Sequence, residues 1–212
     1  MLQLYSYFRS SASCRVRIAL NLKGLDYETA AVHLLKGEQR ARGFLALNPA
    51  GLVPALVEDG QVFTQSLAII EYLDEVHPGP SLLPGDAADR ARIRALAQTV
   101  ACEIHPLNNL SVLRYLKHTL GVDEEAKNGW YRHWVEQGLA TVERLLADPR
   151  TGAFCHGDAP TLADCCLVPQ VFNAQRFACR LDHVPTVMRI HDRCMQLPAF
   201  QRAAPAAQPD AE

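Results

Sequence analysis

The chain has 212 residues, of which 49% are hydrophobic and 21% are charged, and its formal net charge is −2. This composition is typical of a soluble globular protein, and the charge gives no basis for binding nucleic acid or an acidic membrane surface. The seven cysteines form no CxxC pair and no metal-ligand spacing. No leader segment and no apolar run of membrane-spanning length is present. We therefore expect a cytoplasmic protein with reduced thiols and without a metal site.

The first 80 residues alternate between strand and helix patterns. The predicted elements are strands at 2–8 and 27–34, helices at 13–22, 39–47 and 67–76, and a hairpin made of 55–58 and 62–64. Ser66 is the expected N-cap of the helix that follows the hairpin. The order βαβ-αββα predicts a thioredoxin-like α/β domain over residues 1–80. The absence of a CxxC pair argues against dithiol redox chemistry there.

Three prolines and two glycines between His77 and Gly85 break the pattern, and we interpret this stretch as an interdomain linker. The rest of the chain shows helical periodicity, which predicts an all-α domain over residues 86–212. Its expected helices lie at about 87–119, 124–147, 161–178 and 184–195. Thr161 and Asp164 have the spacing of a capping box, so Asp164 is assigned to folding. The tail from Ala203 is predicted to be frayed.

Three short segments of the first domain are candidates for binding a small anionic peptide. Ser10, Ser11 and Ser13 lie where a helix begins, and free N–H groups and the helix dipole favour a bound anion there. Val53-Pro54 precedes a strand, and a cis bond at that place would present the Val53 backbone to a ligand. Gln65-Ser66 precedes another helix and is a candidate for holding a carboxylate. Helix caps are the structural alternative for both serine sites.

Four segments of the chain resemble zeta-class glutathione transferases, the group of maleylpyruvate and maleylacetoacetate isomerases, with bacterial maleylpyruvate isomerases the most similar. They read SSASCRVRIAL, LNPAGLVPAL, TQSLAIIEYLDE and HPLNNLSVL, and the resemblance extends from Leu2 to about Phe200. Ala12 stands where the family pattern has cysteine, and Cys14 stands where it has tryptophan. The first difference argues against an obligatory protein cysteine, and no cysteine is expected to be required.

The resemblance implies a glutathione site and a substrate site. The implied glutathione residues are Ser11, His33, Gln39, Val53, Gln65, Ser66, His105 and Asn108, with Lys36 at the border. Ser11 or Ser10 would hold the sulfur. Arg9 and Arg176, with Arg114 as a weaker candidate, would bind the carboxylates of a small dicarboxylate substrate. Arg15 and Arg17 are expected to be structural or to face solvent.

The resemblance further implies a homodimer that isomerises a cis double bond next to a carbonyl, with glutathione as a recovered cofactor. Two alternatives stay open at this point. A conjugating transferase would use the same glutathione site on an apolar electrophile, and an open aromatic pocket would favour it. A non-catalytic binding protein would keep the fold without the hydroxyl that stabilises the thiolate. The sequence does not separate maleylpyruvate from maleylacetoacetate as the substrate.

Overall fold

The computed structural model describes all residues, 1–212, and divides into two compact units. The first unit consists of residues 1–84 together with 195–212, and the second consists of residues 85–194. The predicted C-terminal domain, 86–212, differs from this division because residues 195–212 belong to the first unit. No helix combines the length and the apolar character that crossing a membrane requires.

The first unit contains a four-stranded mixed sheet with helices. Its elements are β1 (Leu2–Ser6), α1 (Ser11–Leu22), β2 (Tyr27–Ala31), a 3-10 turn (Glu38–Arg40), α2 (Arg42–Leu47), β3 (Ala55–Glu58), β4 (Gln61–Thr64), α3 (Ser66–Val76) and, near the C-terminus, α9 (Pro198–Ala203). The strand order is β2-β1-β3-β4. Strand β1 pairs in parallel with β2 and antiparallel with β3, and β3 pairs antiparallel with β4. The predicted βαβ-αββα order is confirmed.

Alternation on the strands and helical spacing on α1 produce the core of this unit. Leu4 on β1 and Leu56 on β3 are fully buried, and so are Ile18 on α1 and Ile70 on α3. Burying side chains of this size contributes about 1.5–3 kcal/mol each. The core therefore fixes α1 and α3 beside the sheet, which sets the positions of the first residues of both helices.

The C-terminal tail is not frayed, and that prediction is wrong. The carbonyl oxygen of Ala203, at the end of α9, accepts hydrogen bonds from Arg17 Nε at 3.1 Å and Nη2 at 3.0 Å. The backbone N–H of Phe8 donates to Asp210 Oδ2 at 3.0 Å. Alanine and proline content suggested disorder, but the tail supplies the Ala203 acceptor to the buried guanidinium of Arg17 and the Asp210 acceptor to the Phe8 N–H.

The second unit is all-helical, as predicted, apart from one isolated bridge between Thr151 and Gly157. Its elements are α4 (Ala87–Gln98), a π-helical segment (Thr99–Ile104), a 3-10 turn (Pro106–Asn108), α5 (Leu110–His118), α6 (Glu124–Leu145), α7 (Leu162–Arg176) and α8 (Pro185–Met195), whose last residue belongs to the first unit. The single helix predicted at 87–119 is wrong. Pro106 lacks an N–H for a continuing helix, and the side chain of Asn109 caps a new one by accepting from the Val112 N–H.

Helix α7 begins with the predicted capping box. The carboxylate of Asp164 accepts hydrogen bonds from the N–H and the hydroxyl of Thr161, both at 2.8 Å, and from the Cys155 N–H at 2.9 Å. Asp164 is fully buried, and burial raises the pKa of its carboxyl while these hydrogen bonds oppose the shift. The assignment of Asp164 to folding agrees with these contacts.

Candidate functional site

Helix α1 begins two residues earlier than predicted, and the serines at its start have different surroundings. Ser10 is the N-cap, and its Oγ accepts a hydrogen bond from the Ser13 N–H at 3.2 Å. Ser11 is the first helical residue and is buried. The Ser10 oxygen thus caps the helix, and Ser11 stays the first candidate for a sulfur ligand at the positive end of α1.

Arg9 lies directly before this helix and is half-buried. Its guanidinium donates to the Tyr7 hydroxyl at 3.1 Å and stands over the Phe8 ring, 4.7 Å from the centroid. These contacts hold the positive charge close to the start of α1. The predicted position of Arg9 beside the serines therefore agrees with the structure.

Cys14 lies on α1, and its surroundings disfavour the thiolate form. Its side chain is buried, and the thiol donates to the Ala203 carbonyl oxygen at 3.4 Å. Burial raises the pKa of Cys14, although the nearby charges of Arg17 and Arg15 oppose the shift. A buried thiol that stays protonated is a poor nucleophile. This geometry agrees with the prediction that Cys14 is not required, and the other cysteines stay untested.

The predicted residues Gln39 and Val53 are both buried in the first unit. Gln39 lies in the 3-10 turn Glu38–Arg40, and its Oε1 has no hydrogen-bond partner. The Val53-Pro54 peptide bond is cis, which confirms that prediction. A buried amide oxygen without a partner is costly, and an N–H group of a peptide ligand would satisfy it.

The start of α3 differs from the prediction in one respect. Gln65, not Ser66, is the N-cap residue, and it has a positive φ of 68°. This backbone region is uncommon for a residue other than glycine and recurs at functional sites. Ser66 is the first helical residue and is buried, and its Oγ accepts a hydrogen bond from Arg15 Nη1 at 3.2 Å.

His33 and Lys36, predicted at the border of the glutathione site, already contact a carboxylate. Glu212 Oε1 lies 3.1 Å from His33 Nε2 and 3.7 Å from Lys36 Nζ. The N–H of Lys36 donates to His33 Nδ1, so the proton of the neutral ring is on Nε2 and faces Glu212. The hydrogen bond from His33 lowers the pKa of Glu212. This pair therefore provides a place for a carboxylate.

Two predicted glutathione residues belong to the second unit. His105 precedes the 3-10 turn Pro106–Asn108 and is half-buried. Its carbonyl oxygen accepts from the Asn108 N–H at 3.1 Å. Asn108 is buried, and both Nδ2 and Oδ1 of its side chain have no partner in the protein. An amide with both groups unsatisfied suits a peptide-like ligand, since it can donate and accept at once.

Arg176 and Arg114 also belong to the second unit. Arg176 ends α7 and is exposed, with its guanidinium 4.9 Å from the centroid of the Phe177 ring. That ring stacks on Tyr131 at 3.6 Å, so an aromatic pair supports the arginine from one side. Arg114 lies on α5 and is half-buried. An exposed guanidinium held on an aromatic face is suited to binding a carboxylate.

Sequence reasoning did not foresee the surroundings of two residues. Arg15 was expected to be structural or to face solvent, and the structure excludes the second, since Arg15 is buried and contacts Ser66. Glu212 was placed in a frayed tail, but it contacts His33. A signal existed for Arg15, because its position on α1 follows the same helical face as the buried Ser11 and Ile18. No local signal indicates the contact of Glu212, since the two residues are far apart in the chain.

Comparison with known proteins agrees with this geometry. Residues 4–81 match the family model of the glutathione S-transferase N-terminal domain, and residues 125–202 match that of the C-terminal domain. A maleylpyruvate isomerase from Ralstonia sp is 53% identical over 210 residues, which cover 99% of each chain. A solved holo structure of a maleylpyruvate isomerase, described as a bacterial zeta-class enzyme, is also 53% identical. The chain belongs to the zeta-class glutathione transferases.

The structures of this zeta-class chain and its relatives are very similar. The holo maleylpyruvate isomerase superposes with a TM-score of 0.97, covering 99% of this chain and 100% of the other. A maleylacetoacetate isomerase from Anaeromyxobacter dehalogenans 2CP-1, solved with glutathione in its active site, is 47% identical with a TM-score of 0.90. It covers 100% of this chain and 98% of its own. The fold predicted from the resemblance is thus confirmed.

Proposed function

We propose that the protein is a glutathione-dependent cis–trans isomerase that converts maleylpyruvate or maleylacetoacetate into the trans isomer. The similarity to isomerases of both kinds over nearly the whole chain carries this proposal. The site residues support it as well. Buried polar atoms without protein partners occur at Gln39 and Asn108, two of the positions where the resemblance implies contacts with glutathione.

Ser11 and the start of α1 would stabilise the cofactor's sulfur. Bound glutathione supplies a thiol whose anion adds reversibly to an alkene conjugated with a carbonyl. A thiol is mostly protonated at neutral pH, so the protein's first task is to favour the anion. The Ser11 hydroxyl and the positive end of α1 do this by donating to, and attracting, negative charge. Ser66 and Gln39 would hold the peptide part of the cofactor.

The arginines would bind the substrate. Its two carboxylates and the negative charge of glutathione repel each other, so cations are needed where they meet. Arg9 carries its charge next to the sulfur position, and Arg176 carries a second one on an aromatic support. Guanidinium groups bind carboxylates through paired hydrogen bonds. These two residues are therefore the proposed carboxylate clamps, with Arg114 as the alternative for the second.

The deciding experiment follows each substrate by its ultraviolet spectrum, with and without glutathione, while free thiol is titrated. We expect many turnovers per glutathione and no lasting loss of thiol. Stoichiometric loss of thiol would identify a conjugating transferase instead, and no turnover with either substrate would favour a binding protein. The ratio of kcat/KM for the two substrates would assign the physiological one.

Cys14 provides an internal test of the glutathione-only mechanism. Because its thiol is buried and bonded to Ala203, Cys14→Ala should keep glutathione-dependent turnover within about a few fold. Circular dichroism would verify that the variant is folded. If the folded variant were inactive, the mechanism would need a protein cysteine and the proposal would be wrong in that respect.

We further propose that the protein is a cytoplasmic homodimer, as the resemblance implies. The free state of all seven cysteines is consistent with a reducing compartment. Analytical ultracentrifugation of the purified protein would determine the oligomeric state, and a sedimentation coefficient of a 23.4 kDa particle would contradict the dimer.

A further inference from the structure

Helix α1 carries two buried arginines, two residues apart, whose guanidinium groups are in opposite situations. Arg17 is fully buried and donates to the Ser6 hydroxyl and to the carbonyl oxygens of Tyr7, Phe8 and Ala203. Arg15 is 2% exposed, and its Nε and Nη2 have no partner. Its Nη1 donates a hydrogen bond to Ser66 Oγ at 3.2 Å.

The situation of Arg15 is unfavourable for a residue with only a structural role. A guanidinium cannot lose its charge in a protein, and burying it with two nitrogen atoms unpaired is unfavourable. The same position filled by a well-packed apolar side chain would avoid this cost. Arg17, in contrast, has the hydrogen-bond acceptors that a buried arginine with a structural role requires. Arg15 is therefore in an environment that a bound anion would improve.

The hydrogen bond to Ser66 determines what that hydroxyl does. Its oxygen accepts from the Arg15 guanidinium, so its own hydrogen is free to be donated elsewhere. Ser66 is the first residue of the 11-residue helix α3, where unpaired N–H groups and the positive end of the dipole also favour negative charge. The Ser66 hydroxyl and the first N–H groups of α3 are thus donors for a carboxylate, and the Arg15 guanidinium adds a positive charge next to them.

We propose that Arg15 is a positioning residue for the carboxylate-binding end of α3. It orients the Ser66 hydroxyl as a donor and supplies the buried positive charge that attracts a carboxylate of glutathione. This inference rests on the proposed function, which assigns Ser66 to the cofactor. Arg15 acts through Ser66 and takes no part in the transfer of a proton or the addition of the sulfur.

The test measures glutathione affinity and unfolding in the same variants. Arg15→Met removes the charge and the donor at nearly constant length. We expect its dissociation constant for glutathione, measured by calorimetry, to rise about 10- to 100-fold, the range for losing a charge-assisted hydrogen bond. Its melting temperature without glutathione should be unchanged or higher, because an unpaired buried cation is removed. Arg15→Gln, which keeps a neutral donor, is the second variant if Arg15→Met does not fold.

Arg17→Met is the matched control. It lies on the same helix and has the same chemistry, but its hydrogen bonds are all made within the protein. We expect a large fall in melting temperature for this variant. If Arg15→Met fell by as much and bound glutathione as tightly as the parent, Arg15 would be structural and the inference would be overturned.

Two further measurements separate this inference from the site on which it rests. Ser66→Ala should weaken glutathione binding, and Arg15→Met on that background should have a smaller effect than in the parent, because only the contribution of the charge is left to lose. Unchanged binding by Ser66→Ala would overturn the proposed site, whereas a weakened Ser66→Ala with a normal Arg15→Met would overturn the role of Arg15 alone. Two probes, 4-aminobutyryl-cysteinyl-glycine and γ-glutamylcysteine methylamide, each lack one carboxylate. The probe that lacks the carboxylate bound at α3 should have the same dissociation constant with the parent and with Arg15→Met. If Arg15→Met weakened the binding of both probes equally, the inference would be contradicted.

Discussion

The two serines at the start of α1 occupy different positions: Ser10 is the N-cap, and Ser11 is the first helical residue. Ser11→Ala should lower turnover by about 10²–10³, the usual effect of removing one donor to a developing anion. Ser10→Ala should reduce the free energy of unfolding by about 1 kcal/mol, because its Oγ caps the helix, and should lower turnover less. Steady-state kinetics and thermal unfolding of both variants would check this. If turnover fell more in Ser10→Ala than in Ser11→Ala, Ser10 would be the residue that holds the sulfur.

Arg176 should affect the substrate and spare the cofactor. A guanidinium–carboxylate contact contributes about 1.5–3 kcal/mol, so Arg176→Ala should lower kcat/KM about 10- to 150-fold. Arg176→Lys should recover part of this, since an ammonium keeps the charge without the paired contact. Calorimetry should find nearly unchanged glutathione affinity in both variants. Normal isomerase kinetics combined with weaker glutathione binding would place this arginine with the cofactor.

Single residues also show how far sequence reasoning reaches. The start of a helix at the serines and the cis bond at Val53-Pro54 were both predictable, the first from neighbours in the chain and the second from its place in the predicted fold. The surroundings of Arg15 were not, because they depend on Ser66, 51 residues away. The roles of Gln39 and Asn108 stay predictions, although their unsatisfied amide groups are what a ligand site requires.

At the scale of elements, α7 depends on the carboxylate of Asp164. Asp164→Ala would leave the Thr161 and Cys155 donors unsatisfied in a buried place, and we expect a loss of roughly 3 kcal/mol or more in unfolding free energy. Asp164→Asn keeps one acceptor oxygen and should lose less. Urea unfolding of both variants would measure the difference. A loss below about 1 kcal/mol for Asp164→Ala would mean that water reaches these donors.

Elements were predictable where local pattern decides them and failed where it does not. An apolar run identified β1, alternation identified β2, and the turn residues Asp59 and Gly60 between two short strand patterns identified the hairpin of β3 and β4. The predicted helix at 87–119 failed because Pro106 cannot continue the helix and the side chain of Asn109 caps a new one. The prediction of Ser66 as the N-cap failed because the residue before it, Gln65, adopts a positive φ, and nothing in the sequence indicates that a glutamine will do so.

At the scale of the whole molecule, the first unit is discontinuous in the chain. Deleting residues 195–212 removes the Ala203 acceptor of Arg17 and the Asp210 acceptor of Phe8. We expect this truncation to unfold the first unit and to abolish glutathione binding, measured by circular dichroism and calorimetry. Deleting only residues 211–212 is the matched control, and it should leave the melting temperature within a few degrees. Equal stability of the longer truncation would show that the tail is dispensable.

This arrangement was outside the reach of local patterns. Arg17 and Ala203 are 186 residues apart, and a tail rich in alanine and proline carries no periodicity that would indicate a partner. The two-part pattern of a mixed α/β sequence followed by helices was visible, because each part is built mainly from neighbouring segments. The sequence did not indicate that residues 195–212 pack with the first unit.

The contact of Arg17 with Ala203 has a consequence for the order of events on the ribosome. Nascent chains emerge from the N-terminus, and domains generally fold as they emerge. Here the charged guanidinium on α1 has to wait for an acceptor that is translated 186 residues later. The first unit is therefore completed only after the second has been synthesised, and until then α1 stays incompletely covered and open to chaperones.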